Sequence, residues 1–470
     1  MNRRSIRVLL LFLVLVQGTS FLTAQTQKVS MVTSKQVNDQ ISLLVNGGSG
    51  MKIDWGDGVL VSTSDIQING TVKGDTIKLY GNSFWTTLSC DDNAITSLNL
   101  SEAPELVSLY CQNNALEYLT ITKNLKLRYL NCSNNKLSTL ALSRNTDLNY
   151  LDCSYNNISG LSLQYNTGLK TLICAGNKLK TLNLNTCPKL TSLWCQDNQL
   201  STLNLSSLTS LISLLCHNNL LSAITLPPSA KITDFWCDKN QFNSLDLSSD
   251  SYLQTLSCDS NQLSTLRMPD SGSFYMLSCA DNFLGFNSFV DLSRVKDSET
   301  NYLYYPQGPF GLSSDVLNIG EDLDLSFLGK NVSETATQYA IRWYNASDNS
   351  MLEHGPGKDV RVLAGKSRFY KPFESVYALI TSDVYTSLTL KTSVLRVIDP
   401  VGIKDALSLE AGLRISVGKG FIHMTAEKEI PVTIYTADSK KVWKGNVGEN
   451  GTTVSLSKGI YIVNGATVSL

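Results

Sequence analysis

Apolar positions recur with a period of 21 residues through the middle of the chain, from residue 85 to about 292. One unit reads Leu106-x-x-Leu109-x-Cys111-x-x-Asn114-x-Leu116-x-x-Leu119-x-Ile121. Ten cysteines, at 90, 111, 132, 153, 174, 195, 216, 237, 258 and 279, keep that interval without exception. An asparagine stands three residues after each, from Asn93 to Asn282. Alternation in Leu-x-Cys sends Leu109 and Cys111 to one face of a strand and Tyr110 to the other. A second alternating run in each unit (Leu119-x-Ile121, Leu140-x-Leu142, Leu182-x-Leu184) predicts a short strand on the opposite wall. One unit cannot bury its apolar side alone, so units stack on a shared core. At about 4.8 Å between neighbouring strands, ten turns predict a parallel sheet roughly 43 Å wide, in a mainly β coil with little helix.

The unit resembles the leucine-rich repeat, with Cys where the third apolar residue of that consensus sits. The resemblance covers a little under half of the chain and implies a leucine-rich-repeat solenoid of ten 21-residue turns. In the first turn Trp85 takes the opening Leu position and can plug the end of the core; in the last, Asn287 stands where a Leu is expected, so the array closes near residue 292.

The asparagines read as structural. Where the chain turns inward after each strand, a side-chain amide can pair backbone groups that would otherwise be buried without partners. Asn114, Asn135, Asn156, Asn177 and Asn198 form the central stretch of this ladder. A polar binding ladder is the functional alternative. Cys111, Cys132, Cys153, Cys174 and Cys195 at the inward position behave as small hydrophobes. Neighbouring rungs are close enough for disulfides on distance alone, but parallel side chains would strain every bridge. No C-x2-C pair is present, so the spacing gives no metal site. Cys187 lies outside the register, in Asn185-Thr186-Cys187-Pro188.

The residue between Leu and Cys faces away from the core. Down the array this column reads Ser89, Tyr110, Asn131, Asp152, Ile173, Trp194, Leu215, Trp236, Ser257, Ser278. Ile173, Trp194, Leu215 and Trp236 are four consecutive apolar positions on a face predicted to be wet. Tyr110 precedes them in the column, and Tyr129 and Tyr150 occupy the outward position three residues before their cysteines. Trp and Tyr dominate interface hot spots, and a contiguous apolar surface patch marks a contact site. The four outward columns carry eight Asp (91, 92, 152, 197, 234, 238, 259 and 281) against one lysine, Lys239, so this concave wall is expected to be acidic around an aromatic centre. The bland alternative is packing on a flanking loop.

The flanks are strand-like. In residues 25–84 the runs 41–45 and 52–59 alternate, with Asp57-Gly58 as a hairpin signal. Trp55-Gly56-Asp57-Gly58 resembles the turn of polycystic-kidney-disease-type β-sandwich modules; Asp54 and Asp57 read as turn formers, with calcium ligation the alternative. Residues 293–399 form a second β segment, in which Ile341-Arg342-Trp343-Tyr344 resembles the core Trp strand of immunoglobulin-like domains without their disulfide. After Asp399-Pro400, the runs 431–435, 441–445 and 456–464 resemble the C-terminal sorting domains of type IX secretion cargo, although the tail ends in Thr467-Val468-Ser469-Leu470 where that family closes on a basic strand. Repeat array, immunoglobulin-like module and such a tail together resemble cell-surface proteins of Bacteroidetes-type bacteria.

Residues 1–24 read as a secretory signal: Arg3, Arg4 and Arg7 precede a nine-residue apolar run from Val8 to Val16, too short to span a bilayer, with Ala24 at a plausible cut site. No other stretch is long and apolar enough to cross one. The expected segments are a signal (1–24), a β-rich cap (25–84), the solenoid (85–292), an immunoglobulin-like β-sandwich (293–399) and a sorting-like β-sandwich (400–470). With 39 basic and 40 acidic residues, the chain gives no reason to expect a nucleic-acid partner. Phosphate loops, nucleophile elbows and H-E-x-x-H are absent from the sequence. His217 beside Asp238 is a poor acid–base couple, so no enzyme and no cofactor are expected. The predicted role is recognition or adhesion at the bacterial outer surface or in secreted form, with a host or neighbouring-cell protein as ligand. Glycan binding, with Trp194 and Trp236 as stacking platforms, and a structural spacer in a surface assembly are the alternatives.

Overall fold

The computed structural model describes residues 26–469 apart from 48–49, 82–84, 229–230, 313, 330–338, 399–412, 419–420, 427, 437–439, 449, 458–459 and 464–465. The leader expected at 1–24 and the junction at Asp399-Pro400 lie outside the described residues. The chain divides into two compact units, Met1–Asn282 with Val290–Tyr304, and Phe283–Phe289 with Tyr305–Leu470. The described residues are mainly β, with a single four-residue α-helix, Ser298–Asn301.

The first unit is a leucine-rich-repeat solenoid. Each Leu-x-Cys register places a three-residue strand just ahead of its cysteine, from Thr87–Ser89 through Ser108–Tyr110 to Met276–Ser278. All ten are parallel and in unbroken register, Leu109 opposite Leu130, Leu151 and then Leu172. Their Leu side chains and all ten cysteines are fully buried, which joins the turns into one core.

The opposite wall differs from the sequence expectation. Among the described residues its turns pair with one another only at Thr202–Asn204 with Ala223–Thr225 and at Ser244–Asp246 with Thr265–Arg267. The same Thr-Leu-Asn-Leu occurs unpaired at 181–184 and paired at 202–205, so local sequence does not decide. The corner that follows also changes along the array. In the turns ending at Asn124, Asn145 and Asn166, the amide Nδ2 takes the backbone carbonyls: Asn124 donates to Leu100 and Ala103, Asn145 to Ile121 and Asn124, and Asn166 to Leu142 and Asn145. Cys187 stands at this corner in the next turn, its Sγ 3.8 Å from the Asn166 carbonyl. Leu208 follows with no polar atom to offer, and there the wall pairs through its backbone instead, Leu205 N–H donating to Thr225 at 2.8 Å.

The N-terminal segment is tied to both walls of the first turn. Gln40–Asn46 pairs antiparallel with Thr87–Ser89 and with Gln67–Thr71, adding two strands to the repeat sheet, which Tyr302–Leu303 at its other end brings to 13. Thr26–Thr33 pairs antiparallel with Ile95–Asn99 of the second wall. Trp85 is buried at this end. The hairpin Met51–Asp54 to Leu60–Thr63 has a five-residue loop, longer than the two-residue turn that Asp57-Gly58 signals. Its folding follows from Asp54, whose Oδ1 accepts from the N–H groups of Gly56 and Gly58, both at 2.9 Å, and from Asp57, which accepts from Val59 and pairs with Lys73 at 2.8 Å. Both aspartates are turn formers here.

In the second unit, two sheets lie around Trp343. One runs Val316–Asn318, Leu395–Ile398, Phe373–Ser382, Tyr339–Asn345, with Thr389–Lys391 also on Phe373–Ser382; the other runs Asp322–Asp324, Lys366–Phe369, Val360–Leu363. Trp343 is fully buried, its ring packed edge-on to Phe369 with centroids 4.9 Å apart, and its Nε1 donates to Ser367 Oγ at 2.9 Å across the core. Further on, Arg414–Gly418, Phe421–Thr425 and Thr452–Ser455 form one sheet, and Lys441–Val447, Ile430–Thr436, Ile460–Val463 and Ala466–Ser469 another, over a core that includes Ile422, Met424, Val432 and Ile434.

Candidate functional site

The repeat sheet is held at a fixed spacing by the ladder asparagines. Asn135 Nδ2 donates to the carbonyls of Cys111, Cys132 and Ser133 at 2.9 to 3.2 Å, and its Oδ1 accepts from Leu116 N–H at 2.9 Å. The pattern repeats with 2.8 to 3.2 Å contacts at Asn114, Asn156, Asn177 and Asn198. Each amide therefore satisfies its own turn and the one before it. The residue ahead of the ladder asparagine is always left-handed, from Asp92 at φ 57° through Gly176 at 62° to Asp281 at 51°. Asp, Asn or Gly fills seven of these ten positions and tolerates that conformation; Tyr155, Lys239 and Ser260 do not share the advantage. The sequence reading missed this column, although its Asp/Asn/Gly bias was visible.

The thiols do not take part in chemistry at the surface. Burial raises Cys90, Cys132, Cys153 and Cys174 well above the ordinary thiol range and pushes Cys111 up to about 12. All eleven cysteines are buried thiols outside any disulfide, Cys187 included.

On the other face of the same strands, Ile173, Trp194, Leu215 and Trp236 stand side by side in register. Trp194 is 38% exposed and Trp236 36%, with Ile173 and Leu215 half-buried between and beside them. His217 leans on the Trp236 ring, centroids 6.4 Å apart, and its Nδ1 is buried with no hydrogen-bond partner among the described residues. In the neighbouring column Tyr129 and Tyr150 stack at 5.8 Å with their planes 24° apart. Burial, then Asp152 and Tyr110, raise the Tyr150 phenol above its usual range. Tyr110 itself lies two strands before this, separated from Ile173 in its own column by Asn131 and Asp152. The residues anticipated from sequence thus form two groups, the strip 173–236 and the tyrosine stack.

Two positions depart from expectation. Ser257 and Ser278 were placed in a wet column by alternation, yet both are buried. Asp238 and Asp259 fold back over them: Ser257 Oγ donates to Asp238 at 3.1 Å, and Ser278 Oγ and the Ala280 N–H donate to Asp259. Alternation sets a side chain's direction and leaves open what covers it. Desolvation raises the Asp259 carboxyl despite those hydrogen bonds. The remaining carboxylates near the strip have no salt-bridge partner among the described residues; Asp197 accepts from Asn218 at 2.6 Å and Asp234 from Thr233 at 2.6 Å. The site is an aromatic strip with carboxylates beside it, suited to contact and without a positioned nucleophile.

No family model matches the chain, and no curated protein matches it. Solved structures similar to it include the functional domain of InlJ from Listeria monocytogenes, which includes a cysteine ladder; identity is 20% over 67% of this chain and 86% of that chain, with a TM-score of 0.33. The leucine-rich effector protein YopM from Yersinia pestis is 27% identical over 49% of this chain and 63% of its own, TM-score 0.38. An internalin, InlF, from Listeria monocytogenes is 19% identical over 43% and 76%, TM-score 0.35.

Proposed function

We propose that the chain is an exported cell-surface recognition or adhesion protein that binds another protein through the concave face of its repeats. The observation that carries this is the strip Ile173, Trp194, Leu215 and Trp236, four apolar side chains in adjacent strands on an open wall. A surface that keeps two half-open indoles on either side of Leu215, beside carboxylates, matches the centre and rim of a protein hot spot. The favoured ligand is a host or neighbouring-cell protein whose contact patch is apolar at its centre and basic around it. The leader, the immunoglobulin-like reading of residues 293–399 and the sorting-like reading of 400–470 belong to the same proposal, since each fits delivery to the bacterial outer surface. No helix among the described residues is long and apolar enough to cross a membrane.

Glycan binding is the second reading, favoured by one spacing. Trp194 and Trp236 sit two strands apart, about 10 Å, with only Leu215 between them, a separation that suits two sugar rings along a chain.

The test is capture of extracellular proteins and polysaccharides by the full chain, with Trp194→Ala and Trp236→Ala as comparators. Each hot-spot truncation should weaken protein binding by about 30-fold or more. Unchanged affinity in both variants retires the concave-face reading, and competition by free oligosaccharide replaces the protein ligand with a glycan.

A further inference from the structure

The second unit holds a slot between two sheet edges. Tyr339–Asn345 is the last strand of one sheet and Val360–Leu363 the last of the other. A short segment of the chain, Met351–His354, bridges them at one end. Met351 pairs with Tyr344, Leu352 N–H donates to the Trp343 carbonyl at 2.9 Å, and Val360 N–H donates to Glu353 at 3.2 Å. At His354 the bridge leaves the line. The imidazole takes over there, its Nε2 accepting the Trp343 N–H at 3.2 Å where a strand would offer a carbonyl. Beyond this point the slot continues without a strand in it, as a cavity of about 800 Å³ lined by Tyr339–Arg342, Met351–His354, Val362, Ala364 and Gly365.

The backbone polarity of both rims follows from alternation. Trp343 and Asn345 direct their N–H groups away from Phe373–Ser382, so Ile341, two residues earlier, does the same. Val360 directs its N–H and C=O away from Lys366–Phe369, toward Glu353 and Gly355, so Val362 does likewise. Ile341 and Val362 thus present unpaired donors and acceptors to the slot from opposite sides among the described residues. An unpaired edge is a template for another strand, and main-chain pairing at such an edge is a recurring mode of peptide capture.

The geometry points to a peptide-binding site: the slot accepts one extended strand of a partner protein, which pairs with Ile341 on one rim and Val362 on the other and continues the line of Met351–His354. The occupant is an uncharged, β-branched segment of about three residues, the run from Tyr339 to Ile341 being roughly 10 Å. Arg342 and Glu353 line the slot with opposite charges and so favour neither sign, while buried Ile341 and Leu352 supply an apolar floor. This surface is separate from the concave strip and stands or falls independently of it.

The experiment is residue-resolved amide exchange on the full chain with the synthetic peptide acetyl-Thr-Val-Thr-Val-Thr-amide. Saturating peptide should slow exchange at Ile341 and Val362 about tenfold or more, and an analogue N-methylated at alternate residues should not. Val362→Pro removes one rim donor at an edge position that tolerates proline and should weaken binding about tenfold. Should that variant misfold, the methylated analogue decides alone. Unchanged exchange at both amides, or equal protection by the methylated peptide, overturns the site. Protection that rises with protein concentration in the absence of peptide also overturns it and gives the slot to a second copy of the chain.

Discussion

The Tyr155 ring lies directly on Gly176. A Cβ built on Gly176 would stand 2.5 Å from the Tyr155 Cδ1, and Gly176 itself is left-handed at φ 62°. The glycine is therefore favoured by its own backbone, which nine other residues also adopt at this position, and required by the ring of the preceding turn. Gly176→Ala should destabilise the repeat array by about 1–3 kcal/mol. Gly160→Ala, with nothing within 4 Å and no positive φ, is the control and should be close to neutral. Urea midpoints of the two variants check this, and equal midpoints would contradict it.

The ladder amides should be more costly to lose than any surface residue of the array. Asn156 donates to Cys132, Cys153 and Ser154 and accepts from Leu137 N–H at 2.9 Å, all in the interior. Asn156→Ala strands these groups and should cost about 3 kcal/mol or more. Asn156→Asp keeps the acceptor but turns the donor into a second acceptor facing carbonyls, so it should be less damaging at low pH, where the carboxyl is protonated. Denaturation midpoints at pH 4 and 7 separate the two cases.

Asp259 gives the wild-type chain a pH signature of its own. Its folded-state carboxyl is raised above the ordinary value of 3.8, chiefly by desolvation. The folded state thus holds the proton more tightly than the unfolded chain, and stability from this group is present at low pH and falls as pH rises through the window that begins near 3.8. Asp259→Asn removes the charge, keeps an acceptor for the Ala280 N–H and leaves the Ser278 hydroxyl to turn and accept from the amide Nδ2. The variant should be more stable than wild type at pH 7, with the gap closing toward pH 4; a gap that stays constant would refute the assignment.

Labelling should find the cysteine ladder silent. All eleven thiols are buried, and burial raises those of the ladder whose shifts are described above. Iodoacetamide at pH 8 should modify none of them rapidly in the native chain and all of them in denaturant, as intact-mass measurement would show. Rapid native labelling of any rung would mean that the sulfurs are outside.

Trp343 should be irreplaceable by a ring of similar shape. Trp343→Phe keeps the packing on Phe369 but leaves Ser367, itself fully buried, without its donor. A loss of about 1–3 kcal/mol in the second unit is expected, readable as a lowered melting transition.

Much of the solenoid was legible because its signals are local and repeated. Leu109 and Cys111 declare an inward face by alternation alone, and ten copies remove the ambiguity of one. Asn124, Asn145 and Asn166 went unread for the opposite reason: this second amide column spans three turns and then gives way to Cys187 and Leu208. The second-wall strands were over-predicted because alternation alone does not make them pair: Thr-Leu-Asn-Leu is unpaired at 181–184 and paired at 202–205. The strip at Trp194 and Trp236 was visible as a column, whereas the cover over Ser257 and Ser278 comes from Asp238 and Asp259 in the preceding turns, a relationship that periodicity does not encode. The attachment of Gln40–Asn46 to Thr87–Ser89 joins segments some forty residues apart and leaves no mark on either.

That attachment also fixes where the stack begins. Every repeat strand runs in one direction, and a repeat from another molecule would have to arrive with the same direction to extend the pile. At the Thr87–Ser89 end it meets Gln40–Asn46 running the opposite way, with Gln67–Thr71 beyond it. The first rung is thus already paired on its outer side, so a repeat of another molecule cannot dock on Thr87–Ser89 itself; the edge left at this end belongs to Gln67–Thr71, which is no part of a repeat.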